Sequence, residues 1–412
     1  MKVLVVGNGA REHAIAKKLH ADGAELTSAM AKRNPGIAAI SKRVELIDIN
    51  KPADYDRFTG VDIAFIGPEA PLAVGIADTL VEKGVPTVGP IKNLARLEWS
   101  KSYARLLLQE HGIPGNPAFK VCRNLFEVRE FLKSQPDVAV KPDVLTGGKG
   151  VKLTGEHLKT RQEAEAYCAK CIKNDGLVVL EEKLRGKEFT LQAFVDGEHV
   201  EVMPLVRDFK RAYDGDKGPN TGSMGSYSCP DHGMPDLSAE VVKKGAEIMK
   251  QTISTLTKSV GEYCGFLYGG FMNTENGVYL IEYNSRLGDP EAINVLALLD
   301  DSLIETGFRM VEGKLKKPNF RKEATVCVYV VPEGYPDNPK KDQPITVGKL
   351  KHAEPYYASV YEEGSVVKTT GSRAVALLAR GKTVAEARER VYADANTVKG
   401  AVFYRRDIAA GA

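Results

Sequence analysis

A late stretch, "LIEYNSRLGDPE" (280–291), sets Glu282, Asn284 and Arg286 two residues apart. On a strand that spacing points all three to one face. Charged groups are rarely buried without partners, so such a face is a site and not a packing surface. The oxygens of Glu282 and Asn284 suit Mg²⁺, which takes one or two protein oxygens and fills its shell with water and phosphate. A second stretch, "KPDVLTGGKG" (141–150), brackets a glycine-rich turn with two lysines. It is not a P-loop: Asp143 stands where that motif needs Gly, and Gly150 follows Lys149 where it needs Ser or Thr. "VAVKP" before it and "GVKL" after it read as strands. The turn is therefore a hairpin: either a lid, with Lys141 fixed at a strand end and the glycines placed to close over phosphates, or a solvated turn with incidental lysines.

Two further motifs end apolar strands near the N-terminus. "GNGAREH" (7–13) offers backbone N–H groups at a helix start, which favours an anion. The dinucleotide fingerprint would need Gly at position 12, which is Glu12, so a smaller phosphate-bearing ligand fits better. "GPEAPL" (67–72) faces the same crevice if the sheet is doubly wound, although Gly-Pro alone can merely end a strand. Lastly, "VVLEEKLRGKEF" (178–189) carries a strand into two Glu and a Lys. It reads either as a cleft edge offering groups to a base and Glu188 to a ribose, or as a solvated strand end.

The elements that would position these residues follow from periodicity. Residues 1–100 alternate short apolar runs with helical ones, which predicts a doubly wound α/β unit with a parallel sheet. A helix follows in "SKSYARLLLQEHG", with Tyr103, Leu106 and Leu107 on one face. A lid of strands and helices is expected over about 117–187, then a hairpin turning at Asp196-Gly197. The stretch 213–233 is polar, glycine-rich and expected to be irregular; segments of that kind are often functional. A long helix (about 238–260) and two strands lead to about 315, and 316–412 reads as a small α+β unit.

Composition excludes other classes. The 412 residues are 43% hydrophobic and 27% charged with a net charge of +3. That balance argues against coating nucleic acid or an anionic membrane, and no run reaches a membrane span. "MKVLVVG" enters a strand with no secretion signal behind it, so a cytoplasmic chain is expected. Of six cysteines only Cys168 and Cys171 lie close, without a second pair at zinc spacing, and free thiols are expected.

Lysine before a glycine-rich hairpin, then E-E-x-L-x-G-x-E, then E-x-N on a late strand, resembles the ATP-grasp superfamily. Within it the chain is similar to the phosphoribosylamine–glycine ligase (glycinamide ribonucleotide synthetase) family along its whole length. "GNGAREH", "GPEAPL", "LEWSKSYARLLLQEHGIP", "GKG", "DFKR" with "DGDKGPNTGSMGSYS", "LYGGFM", "IEYNSRLGDPE" and "YRRDI" occur in that order. The resemblance implies an ATP-grasp domain at 101–315 between the N-terminal α/β unit (1–100) and the C-terminal α+β unit (316–412). It implies ATP-dependent joining of glycine to 5-phosphoribosylamine through glycyl phosphate, with Mg²⁺ or Mn²⁺ on Glu282 and Asn284, by a cytoplasmic monomer needing neither nucleic acid nor membrane.

The same resemblance implies that ATP meets Lys101, Lys141, Gly148, Lys149, Gly150, Glu181, Glu182, Leu184 and Glu188. Arg286, Lys141 and Asp208 would act in catalysis. The other substrates would meet Gly9, Gly67, Pro68, Glu69, Lys210, Arg211, Asp214, Asn220, Thr221 and Arg286. The chain departs from the family pattern at Pro142, Val144, Thr146 and Gly147 in the hairpin, which suggests a stiffer lid. Ser223 stands where Gly is usual and Ala10 replaces a Gly. The strand before E-x-N reads Gly270-Phe-Met-Asn273, without the further carboxylate that many ATP-grasp enzymes carry.

Overall fold

The computed structural model describes residues 1–412 except Thr146, Gly148 and Lys149. The apolar runs of the N-terminal unit form a parallel sheet in the order 43–46, 25–30, 2–6, 63–66, 87–88. Its central strands, Lys2–Val6 and Ile63–Ile66, are buried almost throughout, as strands covered on both faces must be. Their carboxyl ends bring residues 7–9 and 67–69 side by side.

The sheets that follow are antiparallel, and three of them frame the site. The lid sheet runs 119–122, 178–182, 138–142, 152–153 and is backed by helices Leu125–Ser134 and Arg161–Asp175. The central sheet runs 200–202, 187–196, 264–274, 277–284 against the helix Ala239–Ser259. The third includes 207–208, 225–228, 324–332, 375–381 and 354–357. It draws strands from both sides of the expected boundary at 315/316, whereas a further antiparallel sheet, 360–363, 366–369, 344–347, 398–400, lies wholly within the C-terminal unit. The expected hairpin at Asp196-Gly197 is present.

Two expectations are corrected. The stretch 213–233 is not irregular throughout: Arg211–Tyr213 and Lys217–Asn220 form a hairpin, and Gly225–Ser228 is a buried strand. Its polar composition hides it, because Ser226 is satisfied by Asn294 (2.5 Å) and Ser228 by Thr325 (2.6 Å) inside the third sheet. The helix Lys101–Glu110 buries Ala104, Arg105, Leu107 and Leu108 while Leu106 is exposed. The inward face is set by Arg105, whose charge is met inside. All six cysteines are free thiols, and Cys122, Cys168 and Cys171 lie in the lid core. Among the described residues no helix is long and apolar enough to cross a membrane.

Candidate active site

The strand Gly277–Asn284 forms the floor of the site, and one irregularity governs it. Leu280 pairs with Phe271 and Glu282 with Gly270, so Ile281 is an extra residue opposite no partner. The bulge reverses the alternation. Val278 and Leu280 lie in the core, and so does Tyr283, whose hydroxyl meets Thr252 at 2.8 Å. Glu282 and Asn284 are thereby turned to the opposite side, into a cleft lined also by Lys101, Gly147 and Arg286. Among the described residues no group of three or more His, Cys, Asp or Glu side chains is placed to hold a metal. Two hard oxygens at the rim fit an ion whose remaining ligands are phosphate and water.

Lys141 ends the lid strand Val138–Pro142 and points down onto this bulge. Its ammonium donates to the Ile281 carbonyl (2.7 Å) and pairs with Glu181 (2.8 Å). Burial lowers its pKa against the pull of Glu181. Burial would raise the Glu181 carboxyl, yet Arg105 and Lys141 hold it below its ordinary value. The side chain expected near adenine is thus turned inward.

The root of the lysine-flanked hairpin is tied to the helix Lys101–Glu110. Asp143 accepts from the N–H (2.7 Å) and hydroxyl (2.7 Å) of Ser102, and Lys101 donates to the Val144 carbonyl (2.9 Å). The Gly150 carbonyl accepts from the Tyr167 hydroxyl (2.6 Å). Gly148 and Lys149, expected over the phosphates, lie outside the described residues.

Beyond Lys141 the cleft opens to about 310 Å³ between the lid and central sheets. Glu182, Lys183, Leu184, Glu188, Lys210, Asn220, Thr221 and Glu282 line it, joined by Met272 and His157, which the sequence did not mark. Glu182 accepts from the Ala118 N–H (3.0 Å). Glu188 is ion-paired with Lys210. Thr221 holds the Lys210 carbonyl through its N–H (2.7 Å) and hydroxyl (2.9 Å). Burial and the nearby Glu188 raise the pKa of Asp208. Two residues point elsewhere: Arg211 donates to the Gly218 carbonyl (3.0 Å), and Asp214 accepts from the Arg406 N–H (2.8 Å).

At the other end Arg286 lies between Glu69 (3.2 Å) and Glu98 (3.0 Å). Burial pushes Glu98 up to about 7, whereas Arg286 and Arg11 overcome burial and hold Glu69 down to about 2. The N-terminal motif differs from expectation. The Gly9 N–H is not offered to an anion but donates to Glu12 (2.6 Å), which doubles back over its own helix start. A side chain at Gly7, Gly9 or Gly67 would collide with Glu12, so these glycines admit that carboxylate. It crowds the helix start where the dinucleotide fingerprint needs glycine, in keeping with the mismatch at position 12.

Sequence reasoning missed Arg373, with a 12% exposed side chain. It pairs with Asp289 (3.0 Å), donates to the carbonyls of Gly222, Ser223 (3.2 Å) and Asp289 (3.0 Å), and lies 4.3 Å from the Tyr329 ring centre. It follows "TTGS" with no motif to mark it. Ser223 adopts φ +88°, the left-handed region that explains why Gly is usual there. Its hydroxyl compensates by donating to the Gly225 carbonyl (2.8 Å).

Three family models match in order: the phosphoribosylglycinamide synthetase N domain over 1–98, its ATP-grasp (A) domain over 99–292 and its C domain over 325–411. The phosphoribosylamine–glycine ligase of Methanoregula boonei is 47% identical over 415 residues, covering 99% of this chain and 96% of that protein. That of Pyrococcus abyssi is 44% identical, with 99% and 94% covered. The crystal structure of the Thermotoga maritima phosphoribosylamine–glycine ligase superposes with a TM-score of 0.87 at 31% identity, covering 99% and 100%. The biotin carboxylase domain of a Hydrogenobacter thermophilus carboxylase shares the fold, with a TM-score of 0.72 at 16% identity over 98% and 91%.

Proposed function

This chain belongs to the phosphoribosylglycinamide synthetase family, and from that premise we propose how its site joins glycine to 5-phosphoribosylamine at the expense of ATP. The reaction is a carbon–nitrogen ligation that releases ADP and phosphate and gives glycinamide ribonucleotide, a step of purine biosynthesis. A carboxylate is a poor acylating agent, so its oxygen must first become a leaving group. One oxygen of glycine attacks the γ-phosphorus, ADP leaves, and glycyl phosphate results. The phosphoribosylamine nitrogen then forms the amide bond as the acyl–oxygen bond breaks and phosphate departs. Phosphoryl transfer of this kind needs positioning and charge neutralisation more than a strong base.

The observation that carries this reading is the bulge at Ile281, which aims Glu282 into the cleft that Lys141 lines and sets Asn284 beside it in the adjoining cleft of Lys101 and Arg286. ATP would lie with its base near Glu182 and Leu184, its ribose at Glu188 and its phosphates between Lys101, Lys141 and the 148–150 turn. Glu282 and Asn284 would hold Mg²⁺ or Mn²⁺, which supplies charge neutralisation at the triphosphate. Arg286, already fixed by Glu69 and Glu98, faces the acyl phosphate, while Asp208, Lys210, Asn220 and Thr221 border glycine. Gly9 and the 67–69 turn border phosphoribosylamine. Closure of the hairpin, rooted on Ser102 through Asp143, keeps water from glycyl phosphate.

Family models over 1–98, 99–292 and 325–411 support a 1–100 unit, an ATP-grasp unit at 101–315 carrying a lid over about 117–187, and a 316–412 unit, which we take to act as a monomer. Six free thiols support a cytoplasmic setting. The test is to incubate the protein with Mg-ATP, glycine and freshly generated phosphoribosylamine and follow ADP. Release requiring both glycine and phosphoribosylamine is expected; release indifferent to glycine refutes the assignment.

A further inference from the structure

The helix Lys101–Glu110 carries one residue that the site as described does not use. Arg105 is 3% exposed. Its Nε and one terminal nitrogen grip the two oxygens of Glu181, each at 2.8 Å. The same terminal nitrogen donates to the carbonyls of Leu280 (2.9 Å) and Ile281 (2.7 Å), the last residue in register and the extra residue of the bulge. Glu181 in turn holds Lys141, which shares the Ile281 carbonyl. A bulge leaves backbone groups without ladder partners, and buried carbonyls need donors. Here both donors are cations held to one carboxylate.

We infer that Arg105 is a positioning residue: through Glu181 and the carbonyls of 280 and 281 it fixes the bulge that turns Glu282 and Asn284 toward the metal and Lys141 toward the phosphates. The inference rests on the assignment of Glu282 and Asn284 proposed above. Lysine cannot replace arginine here, because a point charge on a flexible stem cannot span a carboxylate and two carbonyls at once.

The test compares wild type with Arg105→Lys. Mn²⁺ binding to the ADP complex is read directly by electron paramagnetic resonance, beside ADP affinity without metal, melting temperature and kcat. Groups that orient metal ligands change metal affinity about 10- to 100-fold when lost, and a 1 Å misplacement costs about 100-fold in rate. In Arg105→Lys the Mn²⁺ dissociation constant should rise by at least ~10-fold and kcat should fall about 100-fold. Metal-free ADP affinity should fall by less than Mn²⁺ affinity does, because the base and ribose contacts are untouched and only the Lys141 contact to phosphate is loosened.

Should that variant fail to fold, Arg105→Met removes only the guanidinium and leaves Glu181 paired with Lys141, so no buried charge is left alone. It must show the same loss of Mn²⁺ affinity, because the Leu280 carbonyl stays unheld. Wild-type Mn²⁺ affinity in a folded variant overturns the inference. Wild type that itself binds no Mn²⁺ with ADP would refute the metal assignment instead, so the two failures are distinct.

Discussion

Replacing Arg373 with Met tests how the C-terminal segment supports the site. Its guanidinium joins the 222–223 turn, Asp289 and the face of Tyr329. Fully buried ion pairs cost about 3–5 kcal/mol to break; the Asp289 side chain is 20% exposed, so about 2 kcal/mol is the better figure here. The contact with Tyr329 adds about 1 kcal/mol, and the released carbonyls, which water can reach, about 1 kcal/mol more. The sum of about 4 kcal/mol is a large part of the 5–15 kcal/mol that holds a domain together. At roughly 2 °C per kcal/mol for a chain of this size, melting should fall by about 8 °C.

The same contacts fix residues 221–223, and Thr221 holds Lys210, so the damage should be directional. Looseness worth about 1.4 kcal/mol at the glycine side raises KM for glycine about tenfold, while KM for ATP stays within about threefold. Calorimetry and the ADP-release assay read both quantities. Arg373→Lys should fall between, keeping Asp289 but reaching fewer carbonyls. An Arg373→Met protein that melts within about 2 °C of wild type with an unchanged KM for glycine would refute the account.

Three further outcomes follow from the structure. Glu282→Gln should abolish turnover while leaving the melting temperature within about 2 °C, because this carboxylate lines an open cleft; retained activity removes it from the metal site. Ser223→Ala keeps the φ of +88° but loses the hydroxyl bond and should cost about 1 kcal/mol in urea unfolding. Ser223→Gly should be near neutral, relief of strain offsetting that loss; a Gly variant as unstable as the Ala one would show that strain is not relieved.

Burial, aided by Lys17, holds His13 down to about 3, and its ring accepts from the Tyr357 N–H at 2.9 Å. The unfolded chain therefore binds the extra proton, so stability from this group is complete above about 6.5 and falls as pH drops toward 3. At pH 5 the loss is about 2 kcal/mol. His13→Gln should flatten urea stability between pH 7 and 5, and an unchanged slope would count against the linkage.

Much of the molecule was legible in local pattern. Apolar runs of four or five residues separated by helical periods gave the parallel sheet at 2–88, since strands covered on both faces must be continuously apolar. Lys141 at a strand end and the Glu282/Asn284 pair were readable for the same reason: spacing on one element fixes relative direction. Gly225–Ser228 was not readable, because its buried hydroxyls are satisfied by Asn294 and Thr325 from distant segments. Nor was Arg105, whose charge inside an apolar helix face makes sense only once Glu181 is placed against it.

The sequence by itself determined the order of elements, the residue types at the site and the family. Tertiary structure decided which way those residues face. Simple alternation puts Glu282 on the side of Val278 and Leu280, which is the core. Only the extra residue at Ile281, with its carbonyl held by Lys141 and Arg105, moves Glu282 and Asn284 across to the cleft. Likewise Gly9 looks like an anion site until Glu12 folds onto its N–H. A bulge and a folded-back cap are set by partners that arrive from other parts of the chain, so local spacing cannot encode them.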